Sequence, residues 1–219
     1  FARSENRSAV NTCVRRRLEV KYSRGHSVEF DSMDMAMHSL QGHLLIASPH
    51  LADPNFVRTV VLLVHHSEEG TLGVVLNRPS GRTIRELWAD VDEEPCDSDH
   101  PFHVGGPVSG PVMAIHTDRD RSDLEVLPGV HFATQRDYIN DLVRQDKTPF
   151  RIFVGHSGWG RGQLEGELKE GAWLHMPARL EHIFADESEI WELATHEIGR
   201  AMLFNALNIK GAPEDPSCN

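Results

Sequence analysis

A serine that acts as a nucleophile at a strand-to-helix turn needs small residues two positions before and two after it, so that the tight turn can pack. Gly155-His156-Ser157-Gly158-Trp159 comes near that pattern, after an apolar run and before a helix-like stretch, but Trp159 stands where the second small residue belongs. Ser157 paired with a histidine is thus a candidate hydrolase nucleophile of incomplete pattern, set against a plain loop serine. The 14 histidines offer a second chemistry, with His65, His66, His100, His103 and His116 as candidate metal ligands. Adjacent His65 and His66 would face opposite sides of a strand and cannot share one ion, and no pair has a chelating helical spacing. Satisfied or solvated histidines are the plainer reading. Gly105-Gly106 and the glycines of residues 155–162 offer backbone N–H groups to an anion. There is no G-x-x-x-x-G-K-[ST], and residues 158–162 lack the spacing and acidic partner of a dinucleotide site, so no cofactor is expected and tight turns explain these glycines. Glu165 and Glu167 read as part of a solvated acidic face.

The elements that would position these groups follow from the apolar pattern. Residues 43–48 read as a buried strand, residues 49–54 as a punctuated loop, and residues 57–66 as a central strand rich in β-branched side chains. Residues 67–70 turn the chain and residues 72–77 return as a hairpin. Thr83 and Glu86 have capping-box spacing, predicting a short helix through Trp88, followed by a solvated acidic loop over residues 90–99. Strands are expected at residues 102–104 and 112–117, separated by an irregular Gly/Pro-rich loop at 105–111. A helix should start at Thr134 and present Tyr138, Ile139, Leu142 and Val143 on one face before Pro149. Residues 150–154 read as a buried strand that runs into a glycine loop, then a helix over 164–169, a strand over 172–176 and a helix over 186–207. Tight turns between some strands and helices between others predict a mixed sheet with helices packed against it, in one domain.

Composition limits the function classes. At 219 residues, with 39% hydrophobic and 25% charged residues, the chain can build a sizeable core. The widely spaced Cys13, Cys96 and Cys218 suggest neither a disulfide framework nor a zinc knuckle, which fits a reducing cytoplasm. Its apolar runs are too short to span a bilayer. Net charge is −11, yet residues 1–30 carry seven Lys/Arg against three Asp/Glu, so the remainder stands at −15. Such a body repels a phosphate backbone, which disfavours direct nucleic-acid binding and leaves a protein or small molecule as the expected partner. A basic stripe of Arg58, Arg78, Arg82 and Arg85 would be needed to reverse that. Residues 1–39, with Arg15-Arg16-Arg17 and no sustained periodicity, read as a disordered tail, and residues 208–219 as a flexible one. A transit peptide is disfavoured by Glu5, Glu19 and Glu29, and a start at Met33 or Met35 is an alternative.

Five blocks within residues 40–207 resemble the AlgH-like, or YqgE, family of bacterial proteins of uncertain biochemical function. They are Gly42-His43-Leu44-Leu45-Ile46-Ala47 with Pro49; residues 53–61, Asp-Pro-Asn-Phe-Val-Arg-Thr-Val-Val; His66 with Gly70, Gly73 and Asn77-Arg78-Pro79; Gly105-Gly106-Pro107-Val108; and residues 155–165 with Glu167 and Trp173. The last is similar to the family's G-x-x-x-W-x-x-G-Q-L-E signature, which does not require serine at position 157. The resemblance implies an α+β domain with a mixed, barrel-like sheet, an association with transcriptional regulation of exopolysaccharide genes in some relatives, and no established reaction. Because these blocks fall at expected strand ends, where sites usually sit, His66, Asn77, Arg78, Trp159 and Gln163 are expected to border one cleft. Backbone amides of Gly105, Gly106 and Gly155 would face it. The competing reading is structural, with Trp159 filling core and Asn77 and Gln163 capping loops. The primary expectation is a non-catalytic regulatory or binding protein; the alternative is a hydrolase using Ser157 with a histidine, or a histidine-bound metal.

Overall fold

The computed structural model of the chain describes residues 39–91, 95–145 and 147–206. The expected tails lie outside these residues, apart from Ser39. In chain order the elements are β1 (His43–Ala47), β2 (Val60–Ser67), β3 (Gly70–Val75), β4 (Pro79–Thr83), α1 (Ile84–Val91), β5 (Pro101–Val104), β6 (Val108–His116), a single 3-10 turn (Arg119–Arg121), β7 (Leu124–Leu127), β8 (Val130–Ala133), α2 (Arg136–Val143), β9 (Phe150–Gly160), α3 (Gln163–Lys169), β10 (Trp173–Pro177), α4 (Leu180–Ile183) and α5 (Ile190–Ala206). No helix among the described residues is long and apolar enough to cross a membrane.

The strands form one sheet in the order β10-β1-β2-β3-β9-β6-β8-β7, with β5 lying parallel to β9 and β4 antiparallel to β5. The other pairings are antiparallel, so the sheet is mixed by one pair. The sheet curls until β7, last in the order, returns to the start of β1. Gln41 Nε2 donates to Glu125 O at 3.2 Å, and a side chain on Gly42 would meet Val126 O at 3.0 Å. The result is a half-barrel in an α+β domain, as the resemblance implied.

Both faces of this sheet are covered, which explains apolar runs that do not alternate. Val60, Leu62 and Val64 point into the curl with Leu44, Ile46, Val74, Met113 and Phe153, where Ile183 of α4 and Ile190, Ala194 and Ile198 of α5 close it. Val61 and Leu63 point outward under Leu164 of α3, beside Trp159 and Trp173. A third cluster joins Ile84, Leu87 and Trp88 of α1 to Ile139, Leu142 and Val143 of α2 across Ala114 and Ile152. Each such aliphatic side chain, fully buried, contributes about 1.5–3 kcal/mol.

The helix starting at the Thr83 capping box forms as expected: Thr83 N donates to Glu86 Oε2 at 2.8 Å and Glu86 N to Thr83 Oγ1 at 3.3 Å. Four expectations need correction. Residues 57–59 belong to a turn, because Phe56 N and Val57 N both bond Asp53 O. Strand β6 begins at Val108, inside the expected irregular loop. Strand β4 and the β7–β8 hairpin were not anticipated. Residues 155–160 are not a loop at all but the second half of β9, an 11-residue strand.

Strand β9 is built in two halves that serve different neighbours. Residues 150–156 pair with β6, and residues 157–160 with β3. Just before the change of partner Gly155 has φ +74°, a left-handed backbone that favours glycine. Phe153 and Trp159, six residues apart, would share a face in an unbroken strand. Instead Phe153 lies inside the curl and Trp159 outside it, so the irregularity at Gly155 inverts the side-chain alternation.

Candidate functional site

The residues of the W-x-x-G-Q-L-E block spend their polar groups on one another. Glu167 Oε2 accepts from Trp159 Nε1 at 2.9 Å and from Trp173 Nε1 at 2.8 Å. Gln163 Nε2 donates to Glu167 Oε1 at 2.9 Å, while Gln163 Oε1 accepts from Gly160 N at 3.1 Å. Phe56 packs on both indoles, at 6.2 Å and 5.3 Å between ring centres. His66, also buried, takes the N–H of Leu40 on Nδ1 at 2.8 Å and donates from Nε2 to Glu165 Oε1 at 2.9 Å. That hydrogen bond holds the Glu165 carboxyl below its ordinary range. Glu165 and Glu167 were expected on a solvated face; they instead clasp α3 to the sheet, Glu167 to β9 and β10 and Glu165 to His66 of β2.

Ser157 is fully buried in the middle of β9 and donates to Gly105 O at 3.2 Å. It stands on no strand-to-helix turn, which removes the geometry a nucleophile elbow requires. Gly105 N is committed to Val154 O at 3.0 Å, and Gly105 O also accepts from Val75 N. A side chain on Gly106 would lie 2.3 Å from the His156 carbonyl carbon, and one on Gly155 would lie 2.9 Å from Val108 O. These glycines allow β5, β6 and β9 to cross at close range.

Asn77 and Arg78 hold a different place. Asn77 Oδ1 accepts from Val60 N at 2.9 Å, Asn77 Nδ2 donates to Arg58 O at 2.8 Å, and Arg78 donates to Val57 O at 2.9 Å. They tie down the turn before β2, in which Arg58 adopts φ +54° and lies 5.4 Å from the Trp191 ring. Thr71 of β3 stands opposite both His66 and Trp159; Asn77 lies six residues further on, about 20 Å of extended chain. The expected single cleft therefore divides: His66, Trp159 and Gln163 gather on α3, and Asn77 and Arg78 at the far end of β3.

At that far end lies a cleft of about 370 Å³ lined by Asn77, Pro79, Arg151, Ala185, Asp186, Glu187 and Ser188. Arg151 Nη1 donates to Leu76 O at 2.9 Å, and Nη2 donates to Ala185 O. Its remaining three N–H groups have no partner among the described residues, and no carboxylate there forms an ion pair with it. Burial pushes its pKa down, against the opposing pull of Glu187 and Asp186. From β5, His103, 2% exposed, hydrogen-bonds through Nε2 to Glu187. Burial outweighs that carboxylate and lowers the His103 pKa, so the neutral imidazole is favoured. Asp186 Oδ1 accepts from Ser188 N at 2.9 Å and Ser188 Oγ at 2.6 Å, which keeps its carboxyl below the ordinary range.

Of the residues singled out from sequence, Asn77 alone lines this cleft. Arg151 was missed, although it is a polar residue set in an apolar run, Phe150-Arg151-Ile152-Phe153, and His103, which was singled out only as a candidate metal ligand, instead holds Glu187 at the cleft. The candidate metal ligands are dispersed: His65 is exposed, His66 pairs with Glu165, His103 with Glu187, and His116 stacks on His131 at 6.0 Å. Among the described residues no group of three His, Cys, Asp or Glu side chains could hold a metal ion.

Comparison with known proteins places this geometry in a family. A UPF0301 protein from Chlorobaculum tepidum is 36% identical over 185 residues, covering 81% of this chain and 95% of the relative. One from Idiomarina loihiensis is 37% identical over 172 residues, covering 74% and 93%. The solution structure of the AlgH protein from Pseudomonas aeruginosa superposes with a TM-score of 0.62 at 31% identity, covering 84% of this chain and 99% of that one. A crystal structure of a Corynebacterium diphtheriae protein gives 0.60 at 25% identity, covering 71% and 85%. The AlgH-like (DUF179) family model matches residues 44–203, and the chain belongs to the AlgH-like family.

Proposed function

We propose that the chain is a non-catalytic binding protein of the cytoplasm that holds a small polar ligand in the cleft beside Arg151 and passes its occupancy to a protein partner, in a regulatory role. The observation behind this reading is the half-buried Arg151 guanidinium, which lines the cleft held by two carbonyls, with three N–H groups left without a partner among the described residues. A partly desolvated cation that feels Asp186 and Glu187 but makes no ion pair with either has donors left for the acceptors of a ligand.

Burial of Ser157 and its bond to Gly105 support binding over hydrolysis. The arginines that a nucleic-acid stripe would need are engaged within the chain: Arg58 over Trp191, Arg78 on Val57 O, Arg82 on Asp90 at 2.8 Å and Arg85 on Asp99 at 3.2 Å. A protein partner downstream fits that better than a duplex.

Native mass spectrometry of the full chain purified without added ligand tests the proposal. The expected result is a retained small molecule that Arg151→Met releases while the folded mass distribution persists. Retention of the same species by Arg151→Met would place the ligand elsewhere and overturn the assignment to this cleft.

A further inference from the structure

Resting on that reading of the cleft, we infer that its ligand is a zwitterion of the α-amino-acid type, with its carboxylate on Arg151 and its ammonium on Glu187 and Asp186. The lining of the cleft carries a single cation, Arg151, and two carboxylates, Asp186 and Glu187. A simple anion such as phosphate gains Arg151 but meets Asp186 and Glu187; a simple amine gains those carboxylates but meets Arg151. A molecule with both charges a few ångströms apart satisfies both sets of groups.

The groups are oriented in advance. Arg151 is pinned by Leu76 O and Ala185 O, so its free N–H edge is fixed before a ligand arrives. His103 engages Oε1 of Glu187 and leaves Oε2 for a donor. The N-terminal turn of α5 needs no anion, because Asp186 already serves it: Asp186 O accepts from Ile190 N at 3.2 Å and Oδ1 accepts from Ser188 N. That leaves Asp186 Oδ2 for the cleft. Pro79 and Ala185 supply apolar wall for a side chain, and about 370 Å³ holds an amino acid with a few waters.

The test is calorimetric titration of the full chain with each of the twenty standard L-amino acids, followed by the N-acetyl and methyl-ester derivatives of any that binds, with inorganic phosphate as the anion control. At least one amino acid is expected to bind, with acetylation and esterification each weakening it about tenfold or more. Asp186→Asn, at an exposed position that keeps the Oδ1 acceptor, is expected to weaken the free amino acid about threefold to tenfold and leave the N-acetyl derivative unchanged. Glu187→Gln should act in the same direction. No binding by any of the twenty, or derivatives that bind as well as the parent, overturns the zwitterion. The cleft reading fails separately, if whatever the purified chain retains, or phosphate if it binds, is indifferent to Arg151→Met.

Discussion

Trp159 of β9 and Trp173 of β10 donate their indole N–H groups to the same oxygen of Glu167, at 2.9 Å and 2.8 Å. One carboxylate on α3 thereby joins two strands that are not neighbours in the sheet. Glu167→Ala leaves both buried indole N–H groups without an acceptor and is expected to cost about 3 kcal/mol. Urea denaturation should show a lower midpoint with an unchanged slope. Gln163→Ala, which removes a more exposed partner of the same carboxylate, should cost about 1 kcal/mol.

Glycine positions separate by what surrounds them. A side chain on Gly105 would lie 2.2 Å from Gly155 O, which is backbone and cannot give way, whereas Gly81, with φ +76°, has nothing within 4 Å. Gly105→Ala is expected to lose more than about 4 kcal/mol and yield insoluble protein. Gly81→Ala should cost only about 1 kcal/mol, the ordinary penalty of a left-handed backbone. Soluble yield and thermal midpoint of the two variants check this.

Acid should weaken the fold through His116. Burial, then the neighbouring His131, lowers its pKa to about 4 from an ordinary 6.5, with Asp118 and Asp123 pulling the other way. Between those values the unfolded chain binds the proton and the folded chain does not, so stability falls as pH drops from 6.5 through about 4. The loss from this residue is on the order of 3 kcal/mol. His116→Gln, which keeps an acceptor for Asp118 N, should flatten that part of the profile. His103, His156, His175 and His182, also shifted down by burial, would supply the slope that remains. Denaturation midpoints at pH 7, 6, 5 and 4 read the difference.

Ser157 should behave as a structural hydroxyl. A fluorophosphonate probe is expected to leave the native chain unlabelled, and Ser157→Ala should cost about 1 kcal/mol by losing the bond to Gly105 O. Stoichiometric labelling at Ser157 in the folded protein would return the hydrolase alternative to consideration.

Much of the fold was legible because its signals are local. The run from Val60 to Val64 and the Thr83–Glu86 capping box each name their element without outside help. The β7–β8 hairpin was hidden because short apolar stretches are interrupted by Glu125 and His131, and only the tertiary fold buries that histidine. Strand β9 was cut short because its glycines resemble a loop, while they serve the crossing of three strands. The candidate site was the least legible part. Arg151 betrays itself inside an apolar run, but its companions Asp186 and Glu187 arrive from a loop some 35 residues later, and no spacing rule connects them.

The pairing of β1 with β10 sets Leu45 against His175 and His43 against Pro177. The first strand of the described residues is thus completed by the last, so a chain emerging from the ribosome holds β1 with one bare edge until some 130 further residues have been added. The β2–β3 hairpin can form early, but closure waits for β10, and a message truncated before Trp173 would release a product prone to pair edge to edge with its own kind.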